Sequence, residues 1–257
     1  MHWILQDGFF SESGWEAMVS TLERFEISYS VHTVVPGVGH LKPEPVLAHT
    51  NVICLGSYTL RHMAVQNAWR PGVFDLYGED FEKQRERWGE HMLNHRACVC
   101  TLDEACFTEP RIFVRPLHDS KSFSGKVFTA EEFVQMQRSV REGRQVGSLS
   151  GQTEIILSEP QSIYAEYRFW VVRGSLITSS LYKRGNQVFY SSEVNPRIIQ
   201  FARERVAEWA PHDAFVLDVC ETPKGLKIVE INTINSSAFY AADVQRLVLA
   251  LEEAFTE

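Results

Sequence analysis

The chain has 257 residues and carries 25 Lys plus Arg against 33 Asp plus Glu, a formal charge of −8. Its 44% hydrophobic and 23% charged residues are ordinary for a globular protein, and a chain of this length buries enough surface to need no metal or disulfide staple. The acidic balance argues against a nucleic-acid binder that works through a basic face, and no apolar run approaches the roughly 20 residues that cross a bilayer.

The first residues, Met1 to Asp7, show no basic stretch ahead of an apolar core, so they do not read as a signal peptide. Five scattered cysteines, an odd number, point to a reducing cytoplasm. Residues 3–6 read as a short strand. Residues 13–25 read as a helix that Ser13 caps, with Trp15, Met18, Val19, Leu22 and Phe25 on one face. Strands follow at 29–35 and 51–55, and a helix at 58–68. This alternation predicts an open α/β layer with a parallel sheet. Gly56-Ser57, at a strand-to-helix turn, suits either an anion contact or a plain cap.

Residues 81–94 read as a charged helix, and 97–101 and 111–114 as strands. His91 and His95 stand four apart on that helix, with Cys98, Cys100 and Cys106 beyond. The spacing admits a metal site, but also a helix end followed by small buried thiols. A polar loop then runs from His118 through Ser124. Thr129 is the expected cap of a helix over 130–143. Strands are expected at 154–157, 166–172 and 175–182, and a helix at 194–208 with Pro196 near its start. Residues 215–221 and 227–232 form a hairpin, and Val244, Leu247, Val248 and Leu251 mark a last amphipathic helix.

That hairpin carries the sharpest chemical signal. Asp218 and Glu230 interrupt apolar runs, where an unpaired carboxylate is costly. Glu230 and Asn232 alternate onto one face. If the hairpin pairs symmetrically about Pro223-Lys224, Asp218 lies roughly across from Glu230 or Asn232. Three oxygen ligands then converge, which suits Mg2+ bound together with substrate phosphates.

Asp218 followed by Glu230-Ile231-Asn232-Thr233 resembles the metal-binding hairpin of the ATP-grasp carboxylate–amine ligases. Asn235-Ser236-Ser237 is similar to the small-residue loop of D-alanine–D-alanine ligases. Arg115-Pro116-Leu117, Ser120 and Gly125-Lys126-Val127 resemble a phosphate-binding stretch of ribosomal-protein glutamate ligases. Glu166-Tyr167-Arg168 through Gly174 resembles a hairpin of the same family, and Lys183-Arg184 stand where it has an Arg. The order of these motifs is similar to that of a bacterial and phage ATP-grasp clade.

The resemblance implies an α/β (α+β) ATP-grasp fold, with a pre-ATP-grasp α/β domain over 1–110 and the grasp over 111–257. The small lobe would take about 111–157 and the C-terminal lobe 158–257. It further implies ATP and Mg2+ as cofactors, with Mn2+ an acceptable substitute. Asp218, Glu230 and Asn232 would hold the metal, and Arg168, Arg184 and Lys183 would be catalytic. Arg115, Ser120 and Lys121 would contact phosphates, Asn235 and Ser236 would bind the nucleotide, and Leu157 and Glu159 would contact the adenine. Arg115 stands where the family has Lys, and the first ATP-binding Lys has only Lys83, Arg85 and Arg87 as counterparts. The expected reaction joins a carboxylate to an amine through an acyl phosphate, on a small-molecule, peptide or protein substrate. A homodimer stays open. The alternatives are an ATP-grasp kinase and a nucleotide-binding protein without catalysis.

Overall fold

The computed structural model describes residues 1–35, 40–76, 78–117, 123, 125–144 and 149–256, with Glu12 described by its backbone only. The expected contacts Ser120 and Lys121 lie outside these residues, as does His118. The chain folds as two compact units, Met1–Tyr77 with Ile163–Glu257, and Gly78–Ser162.

The larger unit holds two sheets. In the first, β1 (His2–Gln6), β2 (Tyr29–Val34), β4 (Asn51–Leu55) and β5 (Arg70–Gly72) run parallel. The short β3 (Leu41–Lys42) is antiparallel on the outside, in the order β3-β2-β1-β4-β5. The near-continuous apolar strands β1 and β4 are its buried centre, as parallel strands covered on both faces require. Helix α1 (Glu12–Arg24) joins β1 to β2, and α2 (Leu60–Gln66) joins β4 to β5. Ser13 is not the cap: it lies inside α1, whose N-cap is Ser11, without a side-chain bond.

The second sheet is antiparallel, in the order β12-β11-β10-β13-β14. Its strands are β10 (Ala165–Val172), β11 (Ser175–Arg184), β12 (Gln187–Ser191), β13 (Ala214–Thr222) and β14 (Gly225–Asn232). β12 extends the sheet by a strand the sequence pattern did not announce. Helix α5 (Pro196–Glu208) starts at Asn195, whose side chain accepts from the Arg197 amide. Helix α6 (Val244–Phe255) presents Val244, Leu247, Val248 and Leu251 inward, as its periodicity predicts. One core joins the two sheets: Trp3, Leu5, Ile53 and Leu55 pack with Trp170, Val172, Ala214, Val216 and the apolar stripe of α6.

The smaller unit is a four-stranded antiparallel sheet, β6-β9-β7-β8, with its own core. The strands are β6 (Cys98–Thr101), β7 (Arg111–Pro116), β8 (Lys126–Thr129) and β9 (Glu154–Ser158). The boundary expected at residue 110 falls inside this unit, because residues before it supply β6. The charged helix α3 (Phe81–Trp88) is shorter than its pattern suggests. It stops at Gly89, which takes the left-handed conformation (φ 49°) open to glycine. Helix α4 (Ala130–Arg141) begins with a capping box: Thr129 accepts from the Glu132 amide at 3.2 Å, and Glu132 from the Thr129 amide at 2.9 Å. Among the described residues no helix is long and apolar enough to cross a membrane.

Candidate active site

Arg168, Asp218 and Glu230 form one cross-strand row on β10, β13 and β14. Directly paired residues share a face, so the three side chains meet. Asp218 is 1% exposed and Arg168 8%. Arg168 donates to both carboxylate oxygens, Nε to Oδ1 at 2.8 Å and a terminal nitrogen to Oδ2 at 2.7 Å. This is the two-pronged geometry that a guanidinium offers a carboxylate. The Asn232 amide nitrogen donates to Asp218 Oδ2 at 3.1 Å and to Glu230 Oε1 at 3.2 Å.

A β-bulge makes this row possible. Nearer the turn, Thr222 pairs with Gly225 and Val219 with Ile228. Past the bulge, Asp218 pairs with Glu230 and Val216 with Asn232. Val229 is the extra residue. A regular ladder would set Asp218 opposite Val229 and turn Glu230 through to the other face, because a one-residue slip inverts every side chain. Of the two expected partners of Asp218, Glu230 is the one directly opposite.

A second bulge shapes the neighbouring strand. Glu166 pairs with Lys183 and Tyr167 with Leu181, which leaves Tyr182 as the extra residue. Tyr182 and Lys183 therefore reach the same carboxylate. The Tyr182 hydroxyl donates to Glu166 Oε2 at 3.0 Å, and Lys183 Nζ to Oε1 at 2.6 Å. Arg184 faces the opposite side. It lies 4.8 Å above the Phe189 ring and lines a cavity with Tyr167, Leu181, Asn195 and Glu221. The structure brings Lys183 to the cluster and leaves Arg184 out of it, a correction to the expectation that both face one site.

Aromatic rings close over Arg168. Its guanidinium carbon lies 5.0 Å from the Tyr240 ring and 5.6 Å from that of Tyr182. Tyr182 and Tyr240 stack at 4.9 Å, and Tyr190 leans on Tyr240 at 5.1 Å. Tyr240 holds a left-handed backbone conformation (φ 53°) that a tyrosine seldom adopts. Burial opposes the charge on Arg168, but its bonds to Asp218 outweigh that and hold the guanidinium firmly protonated. Burial pushes the Asp218 carboxyl up, while Arg168 on both oxygens and Asn232 pull it down. The balance is upward, with burial the largest influence. Burial, then the nearby Asp218 and Glu166 carboxylates, push the Tyr182 phenol well up, so it stays a donor.

The donor set fits a hard divalent cation. The Asn232 NH2 group, whose hydrogens carry positive charge, bridges the carboxylates of Asp218 and Glu230, which are hard oxygen donors. Turning the amide over presents its oxygen at the same spot, since the two ends have nearly the same shape. The cysteine and histidine cluster offers no such convergence: among the described residues no three His, Cys, Asp or Glu side chains come together to hold a metal.

The Asn235 side chain has a different task from the nucleotide contact expected of it. Its amide nitrogen donates to the Cys54 carbonyl at 2.6 Å and the Gly72 carbonyl at 3.3 Å. Its oxygen accepts from the Phe74 amide at 2.8 Å and the Thr233 hydroxyl at 2.9 Å. The side chain is thus committed to backbone at the ends of β4 and β5. Ser236 is half-buried in the same short turn. The Ser57 backbone N–H donates to Gln6 Oε1 at 2.7 Å. Trp69 is buried in an apolar cluster, whereas Tyr240 joins the Arg168 cluster.

In the smaller unit, Arg115 is half-buried on β7 and lies 5.5 Å above the Phe81 ring. Gly125 belongs beside it for lack of space: a Cβ there would come within 2.7 Å of the Phe113 ring and 3.2 Å of Arg115 Cβ. Leu157 points into the core, between neighbours on β6 and β7. Glu159 follows β9 on the surface. Of the three cations on α3, Lys83 pairs with Glu79 at 2.6 Å, and Arg85 with Glu82 and the Ala97 carbonyl. The sequence reasoning missed Glu166, Tyr182 and Tyr190. A carboxylate inside the apolar run of β10 was the one signal for the first.

Residues 93–250, more than half of the chain, match the model of an ATP-grasp domain family, the second family of its clade. The chain belongs to this ATP-grasp family. No curated protein matches it. Among solved structures it is similar to a RimK-domain ATP-grasp protein from Sphaerobacter thermophilus, with TM-score 0.64, 12% identity and full coverage of both chains. It is similar to D-alanine–D-alanine ligase from Bacillus anthracis complexed with ATP, with TM-score 0.61 and 11% identity over 99% of this chain and 97% of that one. It also resembles the ATP-grasp ligase PsnB complexed with a minimal precursor, Mg and ADP, with TM-score 0.55 and 10% identity over 100% and 98%. At these identities the likeness establishes the fold.

Proposed function

We propose that the protein is an ATP-dependent ligase that joins a carboxylate to an amine through an acyl phosphate. The observation that carries this reading is the row Arg168–Asp218–Glu230 with Asn232 between the two carboxylates, in a chain of the ATP-grasp family. Asp218, Glu230 and Asn232 would hold Mg2+, or Mn2+ in its place. The bound ion would offset the charge of the ATP phosphates. Arg168 and Lys183 stand on the same face and supply positive charge where a transferring phosphoryl group develops negative charge. The substrate carboxylate attacks the γ-phosphorus, ADP leaves, and an amine then displaces phosphate from the acyl phosphate to give the amide. Arg115 is the proposed phosphate contact of the smaller unit, and Glu159 the proposed adenine contact. Small molecules, peptides and proteins bearing a free carboxylate are the substrate classes.

The test is ADP release across a panel of amino acids, short peptides and proteins, with hydroxylamine as the trapping amine. A hydroxamate that forms only with ATP and a carboxylate substrate supports the acyl phosphate. A stable phosphorylated product with no amine requirement means a kinase. Nucleotide binding with no turnover on any substrate means a binding protein. Glu230→Gln should abolish ADP release; unchanged turnover in that variant overturns the site.

A further inference from the structure

The outer strand β12 carries a run of exposed apolar and aromatic residues. Its sequence is Gln187-Val188-Phe189-Tyr190-Ser191, with one side paired to β11 and the other at the margin of the sheet. Val188 is 70% exposed, Phe189 45% and Tyr190 54%. The other large exposed apolar side chains among the described residues, such as Val46 and Val134, are scattered singly. Three in a row on an open edge is the arrangement that soluble proteins guard with a lysine, a proline or a covering loop. β12 contains neither residue.

We infer that this edge pairs with the same edge of a second copy of the chain, antiparallel about a two-fold axis through Phe189. The strand is suited to meet itself. It has no charged residue, so self-pairing opposes no like charges. Read in either direction it runs from a polar end through three apolar or aromatic residues to a polar end. With Phe189 opposite its own copy, Val188 falls opposite Tyr190 twice, and Gln187 opposite Ser191 twice. Pairs of a β-branched and an aromatic side chain are among the favourable cross-strand contacts. The two sheets then continue through the axis as one, and both edges lose their unpaired backbone groups. An isologous contact of this kind closes at two copies and does not propagate.

The interface adjoins the candidate active site. Val188 pairs with Lys183, so it shares the face of Glu166, and Tyr190 leans on the Tyr240 ring above Arg168. A perpendicular two-fold leaves both sites on the same side of the joined sheet.

The test is the mass of the whole chain in solution, measured by sedimentation equilibrium over a concentration series. The wild type should reach twice the mass of one chain. Phe189→Lys and Phe189→Glu each place like charges together on the axis, and each should weaken dimerisation by at least about tenfold. Mixing the two variants places opposite charges on the axis and should restore the dimer as a heterodimer, which a merely misfolded variant cannot do. A wild type that stays monomeric overturns the inference. So does a dimer that Phe189→Lys leaves intact, or a mixture that remains monomeric. None of these outcomes depends on the ligase reading, because no nucleotide or substrate is present.

Discussion

Replacing Arg168 by Met should cost the larger unit about 3–5 kcal/mol, the loss seen when one partner of a buried ion pair is removed. Asp218 is 1% exposed, so its carboxylate depends on protein donors and not on bulk water in the fold. Each oxygen loses a bond of 2.7–2.8 Å, and only the Asn232 amide at 3.1 Å remains. Thermal or urea unfolding followed by circular dichroism reads the effect, about 2–4 °C for each kcal/mol in a domain of this size. Replacing both partners, in Arg168→Met with Asp218→Leu, should recover most of the loss, since no charge is left buried. The deficit of the single variant should also shrink as pH falls. Without its guanidinium, Asp218 has a folded pKa raised by burial, and a raised carboxyl favours the fold only in its protonated form, below that pKa. A loss under about 1 kcal/mol, or a double variant as unstable as the sum of the singles, would refute the buried-pair argument.

Three further outcomes follow from the same geometry. Gly56→Ala should destabilise by more than about 2 kcal/mol, because Gly56 sits at φ 155° and a Cβ there runs into Gln6 and Leu60; a thermal midpoint equal to wild type contradicts it. Titration with a thiol reagent near neutral pH should label the exposed Cys98 and Cys106 fastest. Cys54 and Cys220 are buried with thiols pushed up to about 12, and should react only after unfolding; rapid reaction of all five thiols counts against this packing. Burial, then His49, His32 and the N-terminal ammonium, lower the pKa of His2, so the folded state resists a proton that the unfolded chain accepts near 6.5. Stability from His2 is therefore present above about pH 6.5 and lost as pH falls below it. His2→Gln should flatten the fall in unfolding free energy between about pH 7.5 and 5.5, and an unchanged slope removes His2 as its source.

Much of the architecture was legible in the chain because it rests on local periods. The apolar runs of β1 and β4, the capping box at Thr129 and Glu132, and the stripe of α6 declare themselves within a dozen residues. So did the meeting of Asp218, Glu230 and Asn232, since carboxylates in apolar strands need a partner. Asn235 was misplaced because its amide bonds reach Cys54, Gly72 and Phe74, more than 150 residues away in sequence. Strand β12 went unseen because its apolar residues are exposed and answer to no inward-facing pattern.

The sequence alone singled out the candidate residues Asp218, Glu230 and Asn232 and placed them on strands. The net charge of −8 had hidden the local cations, and only the sheet register chose among them. A bulge at Val229 turns Glu230 and Asn232 to the side of Asp218, and a bulge at Tyr182 turns Lys183 toward Glu166 and sends Arg184 away. Valine and tyrosine are ordinary strand residues, so neither bulge has a signature in composition or period. Register is set by neighbouring strands and by the core beneath them, where Trp170, Val216 and their contacts on the parallel sheet fix which face is buried.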